Sequence, residues 1–461
     1  MLIRLFVLAV LLVFTKVAQA ESSFQQKEWE GTLQSSIPLP LLLKIETDGH
    51  ALSGHLEAPS QAPDQPIAIS GLHRNTSRLS FSVPSLLVSY EGEWDDRTQC
   101  WKGQWTQAAE TNDLTFCARP TLLERRPQTP VAPFPYHVED VTFESRTEPF
   151  KLSGTLTYQL SSDTVPYVIL LSGSGPQDRD ERIFEHKPFA VLADQLTRRG
   201  IGVLRYDDRG VGQSEGTFSE ASVFDFAEDA AGAVSYLRSR EDLNVESIGL
   251  IGHSEGGLVA PVAAASSAEI DHIILLAGPA EPLEETLLYQ LRQVLPRAHL
   301  SDEKRASEDQ RILDLYRSVS RYDSAGDAKV FLEDALTPGM LAIMGNSPAA
   351  KPEMIEALSS KWMRDGLRLE SDALWGPIGI PVLALFGEVD QQVPAQSNAD
   401  SLAKALDHNS ALTIQILPQL NHLFQTADTG AVSEYATIRE TMSPQIWDLI
   451  DQHIKDLERN K

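Results

Sequence analysis

The chain has 461 residues and carries 39 Lys and Arg against 65 Asp and Glu, a formal net charge of -26. Its length exceeds that of one ordinary domain, so two folded parts are expected. The charge excludes a nucleic-acid binder, which needs a basic footprint to neutralise phosphates, and fits a solvated acidic surface.

Residues 1–20 predict an export signal. Arg4 supplies the positive start, Leu5 to Phe14 form an apolar run of ten, and Ala18-Gln19-Ala20 is a small-x-small cleavage site. Ten apolar residues fall well short of the roughly 20 that a spanning helix needs. No cysteine follows the cleavage site to take a lipid, and no later run is apolar for long enough to span a bilayer. The expected protein is exported, periplasmic or secreted, without a stable membrane anchor.

Residues 21–126 read as a small all-β domain. Leu41–Glu46, Ile67–His73, Arg78–Val83 and Leu114–Ala118 are strand-like runs separated by turn signals such as Asp48-Gly49 and Asp95-Asp96. "YEGEW" (90–94) and "WKGQW" (101–105) place aromatics around glycine in two adjacent strands. Such tryptophans serve as a sugar platform in some modules, but aromatics mostly supply core area, and burial is the expectation here. Cys100 and Cys117 are the only cysteines. Export permits a disulfide between them, the alternative being two reduced and partly buried thiols.

Four prolines fall within residues 127–135, "PQTPVAPFP", predicting a stiff extended connector between two domains. From residue 136 to 461 strands and helices alternate. "YVILL" (167–171), "GVLRY" (202–206), "SIGLIG" (247–252), "HIILLAG" (272–278), "PVLALFG" (381–387) and "TIQIL" (413–417) are apolar on both faces. That pattern belongs to a parallel sheet covered by helices on both sides. Helices are predicted between them, for example over Phe224 to Ser239 and Ala395 to Leu406. Residues 282–375 break the rhythm as a helix-rich insertion, whose Leu336, Met340, Leu341 and Met344 are expected mostly to pack within it.

Two stretches fit G-x-S-x-G, "GQSEG" (212–216) and "GHSEG" (252–256). A nucleophile elbow needs a strand running directly into the serine and a helix leaving directly after it. Ser254 has both, in "SIGLIGH" before it and "EGGLVAPVAAA" after it. Ser214 has neither, since its strand ends at Tyr206 and the next helix starts near Ser222. Ser254 is therefore the expected nucleophile. Ser214 is read as a loop residue, in a glycine-rich stretch where Asp207 and Arg209 are expected to pair.

A serine needs a base to take its proton, and the base an orienting acid, in the chain order serine, acid, histidine for this sheet topology. Asp390 lies just past "PVLALFG", with Glu388 as the alternative acid. His422 follows "TIQILPQLN" at the end of the last strand. His186, His253, His408 and His453 are its competitors, and His253 adjoins the serine so that its side chain is expected to point away. Oxyanion donors are expected from the backbone N–H of Glu255 and from the loop "LLSGSGPQDRDE", Ser174 first and Gly175 second.

The set "SGSGPQDRDE", "RYDDRGVGQSEG", "GHSEGG", "GEVDQQVP" and "LNH" resembles the α/β-hydrolase superfamily over roughly residues 136–461. More narrowly it is similar to exported or cytoplasmic bacterial esterases grouped with serine aminopeptidase (S33)-like hydrolases. "GSGPQDRDE" in place of a His-Gly oxyanion motif carries the narrower match. The resemblance implies an α/β-hydrolase sheet with a helical cap insertion, here preceded by the all-β domain. It implies a triad of Ser254, Asp390 and His422, and hydrolysis of a small-molecule carboxylic ester through an acyl-enzyme without a cofactor. A peptidase of the same fold is the alternative enzyme, with Glu284 or Glu285 of the insertion holding a peptide N-terminus. The alternative of another class is a non-catalytic binder working through the β domain. H-E-x-x-H and G-x-x-x-x-G-K-[ST] motifs are absent, so no metal or nucleotide is implied.

Overall fold

The computed structural model describes residues 27–34, 39–47, 52–58, 62–107, 110–119, 125–161, 163–295 and 297–459. The predicted export signal and the Asp48-Gly49 turn lie outside the described residues. The chain forms two compact units that divide between Arg125 and Arg126.

The first unit is an antiparallel sheet of nine strands. They are β1 (Lys27–Leu33), β2 (Leu39–Thr47), β3 (Leu52–Ala58), β4 (Ala62–Ala68), β5 (Ser70–Arg74), β6 (Arg78–Val83), β7 (Val88–Asp95), β8 (Cys100–Gln107) and β9 (Glu110–Ala118), in the order β4-β3-β2-β1-β9-β8-β7-β6-β5. The predicted single strand Ile67–His73 is two strands, β4 and β5, at opposite ends of that order with one residue, Ile69, between them. The chain passes from one edge strand straight to the other, so the sheet curls to bring the end of β4 beside the start of β5.

Alternate side chains point inward, as in β6 with Leu79, Phe81 and Val83 buried. Tyr90, Trp101 and Trp105 are buried with them, so these aromatics of "YEGEW" and "WKGQW" are core. The glycines of those two motifs have a packing reason. Gly92 and Gly103 face each other across β7 and β8, and a Cβ on Gly103 would lie 2.7 Å from Cζ of Tyr90. The cleared space takes the Tyr90 ring, whose hydroxyl donates to the Trp101 carbonyl at 2.9 Å. Cys100 and Cys117 stand opposite each other across β8 and β9 and are joined by a disulfide.

The second unit is built on an eight-stranded sheet. Its strands are β10 (His137–Glu144), β11 (Lys151–Tyr158), β12 (Val165–Leu171), β13 (Gly202–Tyr206), β14 (Val245–His253), β15 (His272–Leu276), β16 (Val382–Gly387) and β17 (Leu412–Leu417), ordered β10-β11-β13-β12-β14-β15-β16-β17. From β13 to β17 neighbouring strands run parallel, while β10 and β11 form an antiparallel edge. The two faces bury separate clusters. Val168, Leu170 and Ile251 pack with Phe189, Ile446 and Trp447 of the helices Pro188–Thr197 and Pro444–Arg459. Ile169, Leu171 and Leu250 pack with Val234, Ala260 and Leu402 of Val223–Ser239, Gly256–Ser266 and Ala395–Ala405.

Between β15 and β16 the described chain is helical, from Leu283–Val294 to Ser371–Trp375. This insertion holds its own core, in which Leu336, Met340, Leu341 and Met344 pack with Leu288, Ile312 and Met354. The proline-rich residues 127–135 do not hang free as a connector. Gln128 Nε2 donates to the Met442 carbonyl at 2.8 Å and its Oε1 accepts from Met442 N at 3.1 Å, which docks the stretch on this unit. Among the described residues no helix is long and apolar enough to cross a membrane.

Candidate active site

Ser254 sits where β14 ends and the helix Gly256–Ser266 begins, with φ of 50°. That left-handed conformation is strained for a residue with a side chain and presents the hydroxyl outward on a sharp turn. The flanking glycines are obligatory at this turn. A Cβ on Gly252 would lie 2.1 Å from the Gly256 carbonyl oxygen, and one on Gly256 would lie 2.2 Å from that of Leu171. The main-chain N–H of Ser254 donates to the Leu276 carbonyl at 2.9 Å, tying the turn to the next strand.

Ser214 has an ordinary structural environment. Its Oγ donates to the Asp207 carbonyl at 2.6 Å and accepts from Ser153 N at 2.9 Å, so the hydroxyl is spent on holding a loop. Asp207 and Arg209 do not pair, contrary to the expectation from their closeness in sequence. Asp207 takes Arg179 at 2.8 Å, while Arg209 reaches Asp229 at 2.7 Å and Glu148 at 2.9 Å. Both residues lie in the loop past Tyr206, where strand alternation no longer sets side-chain direction, so closeness in sequence is a poor guide to pairing.

Asp390 and His422 are brought together. His422 Nδ1 lies 2.7 Å from Asp390 Oδ2, and both side chains are almost wholly buried. The other carboxylate oxygen, Oδ1, accepts from the N–H groups of Gln392 at 2.7 Å and Val393 at 3.0 Å, which fixes the carboxylate. With Nδ1 donating to the acid, Nε2 of the neutral ring is an acceptor. Glu388 is turned elsewhere, accepting from Gln419 N at 3.1 Å. His186 is locked between Thr441 and the Tyr435 carbonyl, and burial pushes its pKa down to about 4. Among the described residues the Ser254 hydroxyl makes no hydrogen bond, and the structure leaves it out of bonding contact with His422. Catalytic hydrogen bonds of a resting site are often long and tighten when substrate arrives.

The loop after β12 approaches the elbow closely: a Cβ on Gly173 would lie 3.2 Å from Cβ of Ser254. The Gly173 N–H is already used, donating to Glu181 Oε1 at 2.7 Å. The N–H groups of Ser174, Gly175 and Glu255 donate to no group among the described residues. These are the oxyanion donors expected from the sequence, and none of them is engaged by a described residue.

Several side chains at the site carry no signal in the sequence. The carboxyl group of Glu255 is buried and accepts from the indole N–H of Trp362, which belongs to the helical insertion. Tyr289, also of the insertion, donates to the Asp390 carbonyl at 3.0 Å. Glu284 and Glu285 are both taken up by Arg317, each at 3.2 Å. No cluster of three or more His, Cys, Asp or Glu among the described residues is arranged to hold a metal ion.

Burial pushes the Glu255 pKa from its ordinary 4.5 up to about 7, against opposing hydrogen bonds from Trp362 and Ser174. The folded protein then keeps a proton between pH 4.5 and 7 that the unfolded chain has lost, so stability falls as pH rises through that window. The full effect is about 3 kcal/mol. Glu255→Gln cannot lose a proton, and its denaturation midpoint is expected to change less between pH 4.5 and pH 7 than that of the parent. Parallel stability profiles for the two proteins would remove Glu255 as the source.

A sheet in this order, covered on both faces, with a left-handed serine between strand and helix and an aspartate–histidine pair on the loops after the last two strands, is the α/β-hydrolase fold. Residues 185–337 match the family described as serine aminopeptidase, S33. The chain is 28% identical over 290 residues to esterase EstD of Thermotoga maritima, covering 63% of this chain and 62% of EstD. It is 28% identical over 216 residues to the AB hydrolase superfamily protein YisY of Bacillus subtilis, covering 45% of this chain and 71% of YisY. Among solved structures, the Pyrococcus furiosus esterase Pf2001 aligns at 15% identity with a TM-score of 0.44, over 70% of this chain and 91% of its own.

Proposed function

We propose that the protein is a serine esterase that cleaves small-molecule carboxylic esters through an acyl-enzyme. The observation that carries this reading is the Asp390–His422 pair, 2.7 Å apart, following in chain order the elbow serine Ser254. His422 Nε2 takes the proton of Ser254 Oγ as the oxygen attacks the ester carbonyl. Asp390 stabilises the imidazolium so formed, and the open N–H groups of Glu255 and of Ser174 or Gly175 hold the oxyanion. The tetrahedral intermediate collapses as His422 passes its proton to the leaving alcohol. Water activated by His422 then adds to the acyl-enzyme, and the acid is released with Ser254 restored. Every group in this cycle comes from the chain itself, so no cofactor takes part.

Two observations favour ester over amide as the bond cleaved. EstD, similar over 290 residues, is an esterase by name. The insertion carboxylates suited to an N-terminal amine, Glu284 and Glu285, both pair with Arg317, which competes with such an amine for them. The serine aminopeptidase match makes peptide hydrolysis the second reading. A screen of aryl esters of graded acyl length beside aminoacyl and peptidyl amides decides between them. Small and medium acyl esters are expected to turn over faster, and equal or better amide turnover would move the assignment to a peptidase. The N-terminal pattern of Arg4, the apolar run to Phe14 and Ala18-Gln19-Ala20 supports export, with Cys100 and Cys117 joined in the oxidising compartment.

A further inference from the structure

Beside the Asp390–His422 pair lies a second carboxylate–imidazole pair that the cycle above does not use. His253, the residue before Ser254, is 7% exposed and Glu181 is 4% exposed. His253 Nδ1 lies 2.7 Å from Glu181 Oε1, and His253 Nε2 lies 3.0 Å from the main-chain carbonyl oxygen of His422. A carboxylate and a carbonyl can only accept, so both ring nitrogens must donate and the ring is an imidazolium. Burial opposes that charge, but Glu181 and the His422 carbonyl outweigh it and raise the His253 pKa. The same Glu181 Oε1 also accepts the Gly173 N–H at 2.7 Å.

We propose that Glu181 and His253 are positioning residues, a buried charged brace that sets the Gly173–Gly175 loop and the His422 backbone in register with Ser254. The proposal rests on reading Ser254 and His422 as the reacting groups. The brace joins parts that the chain itself leaves far apart, with His253 separated by 72 residues from Glu181 and by 169 from His422. One end fixes the loop that offers the Ser174 and Gly175 N–H groups; the other fixes the backbone of the base. The middle of the brace is the neighbour of the nucleophile, and its ring centroid is 4.9 Å from that of His422.

The loop that delivers Glu181 is itself under strain. Glu181, Phe184 and Glu185 have φ of 50°, 47° and 67°, left-handed values that are strained for residues with side chains. It is held by Asp180, which bridges Arg205 at 3.0 Å and Lys187 at 3.1 Å. A buried ion pair is poor value as a source of stability, because desolvation offsets much of the attraction. Strain and a buried charge pair at one place, both ending on the reacting groups, point to precise placement as the gain. A misplacement of about 1 Å is enough to cost on the order of 100-fold in rate.

Three variants test the brace. The amide nitrogen of Asn overlays His Nδ1 and that of Gln overlays His Nε2. His253→Asn therefore keeps the bond to Glu181 and loses the one to His422, and His253→Gln does the reverse. Glu181→Gln fills the same volume. Without the carboxylate the buried ring is neutral, and one of the three bonds must break whichever way the amide turns. Each is assayed for ester kcat per serine titratable by an organophosphorus probe, for KM and for melting temperature. We expect kcat per titrated site to fall about tenfold or more in all three, with KM within about twofold. Lower melting temperature with kcat per titrated site within about twofold of wild type in Glu181→Gln, or in both His253 variants, would reduce the pair to a structural one and overturn the proposal. Should the wild type carry no label on Ser254, the esterase reading itself fails, and that outcome is seen before any brace variant is made.

Discussion

Replacing Ser254 with alanine is expected to abolish both ester turnover and covalent labelling by an organophosphorus probe. Removing the nucleophile from a triad of this kind costs about 10⁶-fold in kcat. The fold should survive the change. Alanine has the same Cβ as serine, so the strain of the φ 50° turn is unaltered, and the Ser254 hydroxyl makes no hydrogen bond to any described residue whose loss would matter. The parent protein is expected to carry the label on the peptide containing Ser254 and none on that containing Ser214. Only a serine with a base in reach and oxyanion donors nearby attacks phosphorus quickly. Ser214→Ala should leave the rate intact and cost about 1 to 2 kcal/mol of stability, because it removes an acceptor from Ser153 N and a donor to the Asp207 carbonyl. Peptide mapping is decisive. An adduct on the Ser214 peptide alone would overturn the nucleophile and the triad built around it.

Asp390→Asn is expected to lower kcat by about 10⁴-fold while leaving the loop in place. The asparagine carbonyl oxygen can still accept from Gln392 N and Val393 N, as Oδ1 does now. Its amide then turns N–H toward His422 Nδ1, where a carboxylate oxygen stood at 2.7 Å. The imidazole proton is driven to Nε2, so the ring offers a donor where the serine proton needs an acceptor. His422→Ala should fall at least as far, since the serine hydroxyl then stays protonated at neutral pH. The measurement is kcat on the best ester of the substrate screen, with near-ultraviolet circular dichroism as the check on folding. An Asp390→Asn protein within threefold of the parent rate would mean that the acid contributes nothing to the base, and the triad assignment would not stand.

The parallel strands were legible because each is buried on both faces and so reads as an unbroken apolar run, as in "YVILL" and "PVLALFG". The edge strands β10 and β11 were not. In β10 only Val141 and Phe143 are buried while the polar Asp140, Thr142 and Glu144 alternate with them, so no apolar run marks the strand. Ser254 could be separated from Ser214 because an elbow leaves a local mark, a strand and a helix with no gap between them. The contact between Asp390 and His422 follows from chain order, since both lie at the same end of neighbouring strands β16 and β17. Glu181, His253 and Trp362 left no comparable mark. Their roles depend on partners 72 to 169 residues away, and local patterns of period two or 3.6 say nothing about such pairings. The glycines of "YEGEW" and "WKGQW" were visible in sequence, but their reason, room for the Tyr90 ring, required the register of β7 on β8.

The helical insertion leaves the sheet after β15 and returns at β16, and these two strands are hydrogen-bonded neighbours. Because the two strands run parallel, the chain leaves at the end of β15 and must recross the sheet to begin β16, and the helix Ser371–Trp375 near its return packs Leu374 and Trp375 on the sheet face. Its interior closes on itself, with Leu288, Ile312, Leu336, Leu341 and Met354 in one cluster separate from those on the sheet faces. A segment with a private core and a return helix anchored on the sheet behaves as a cassette. It can be lengthened, shortened or exchanged without disturbing strand register, the elbow or the Asp390–His422 pair. What it shares with the site runs through a few ties, Trp362 to Glu255 and Tyr289 to the Asp390 carbonyl among them. Change of substrate range and preservation of the chemistry are in this architecture nearly independent, and those few ties are where a new cassette would have to match the old.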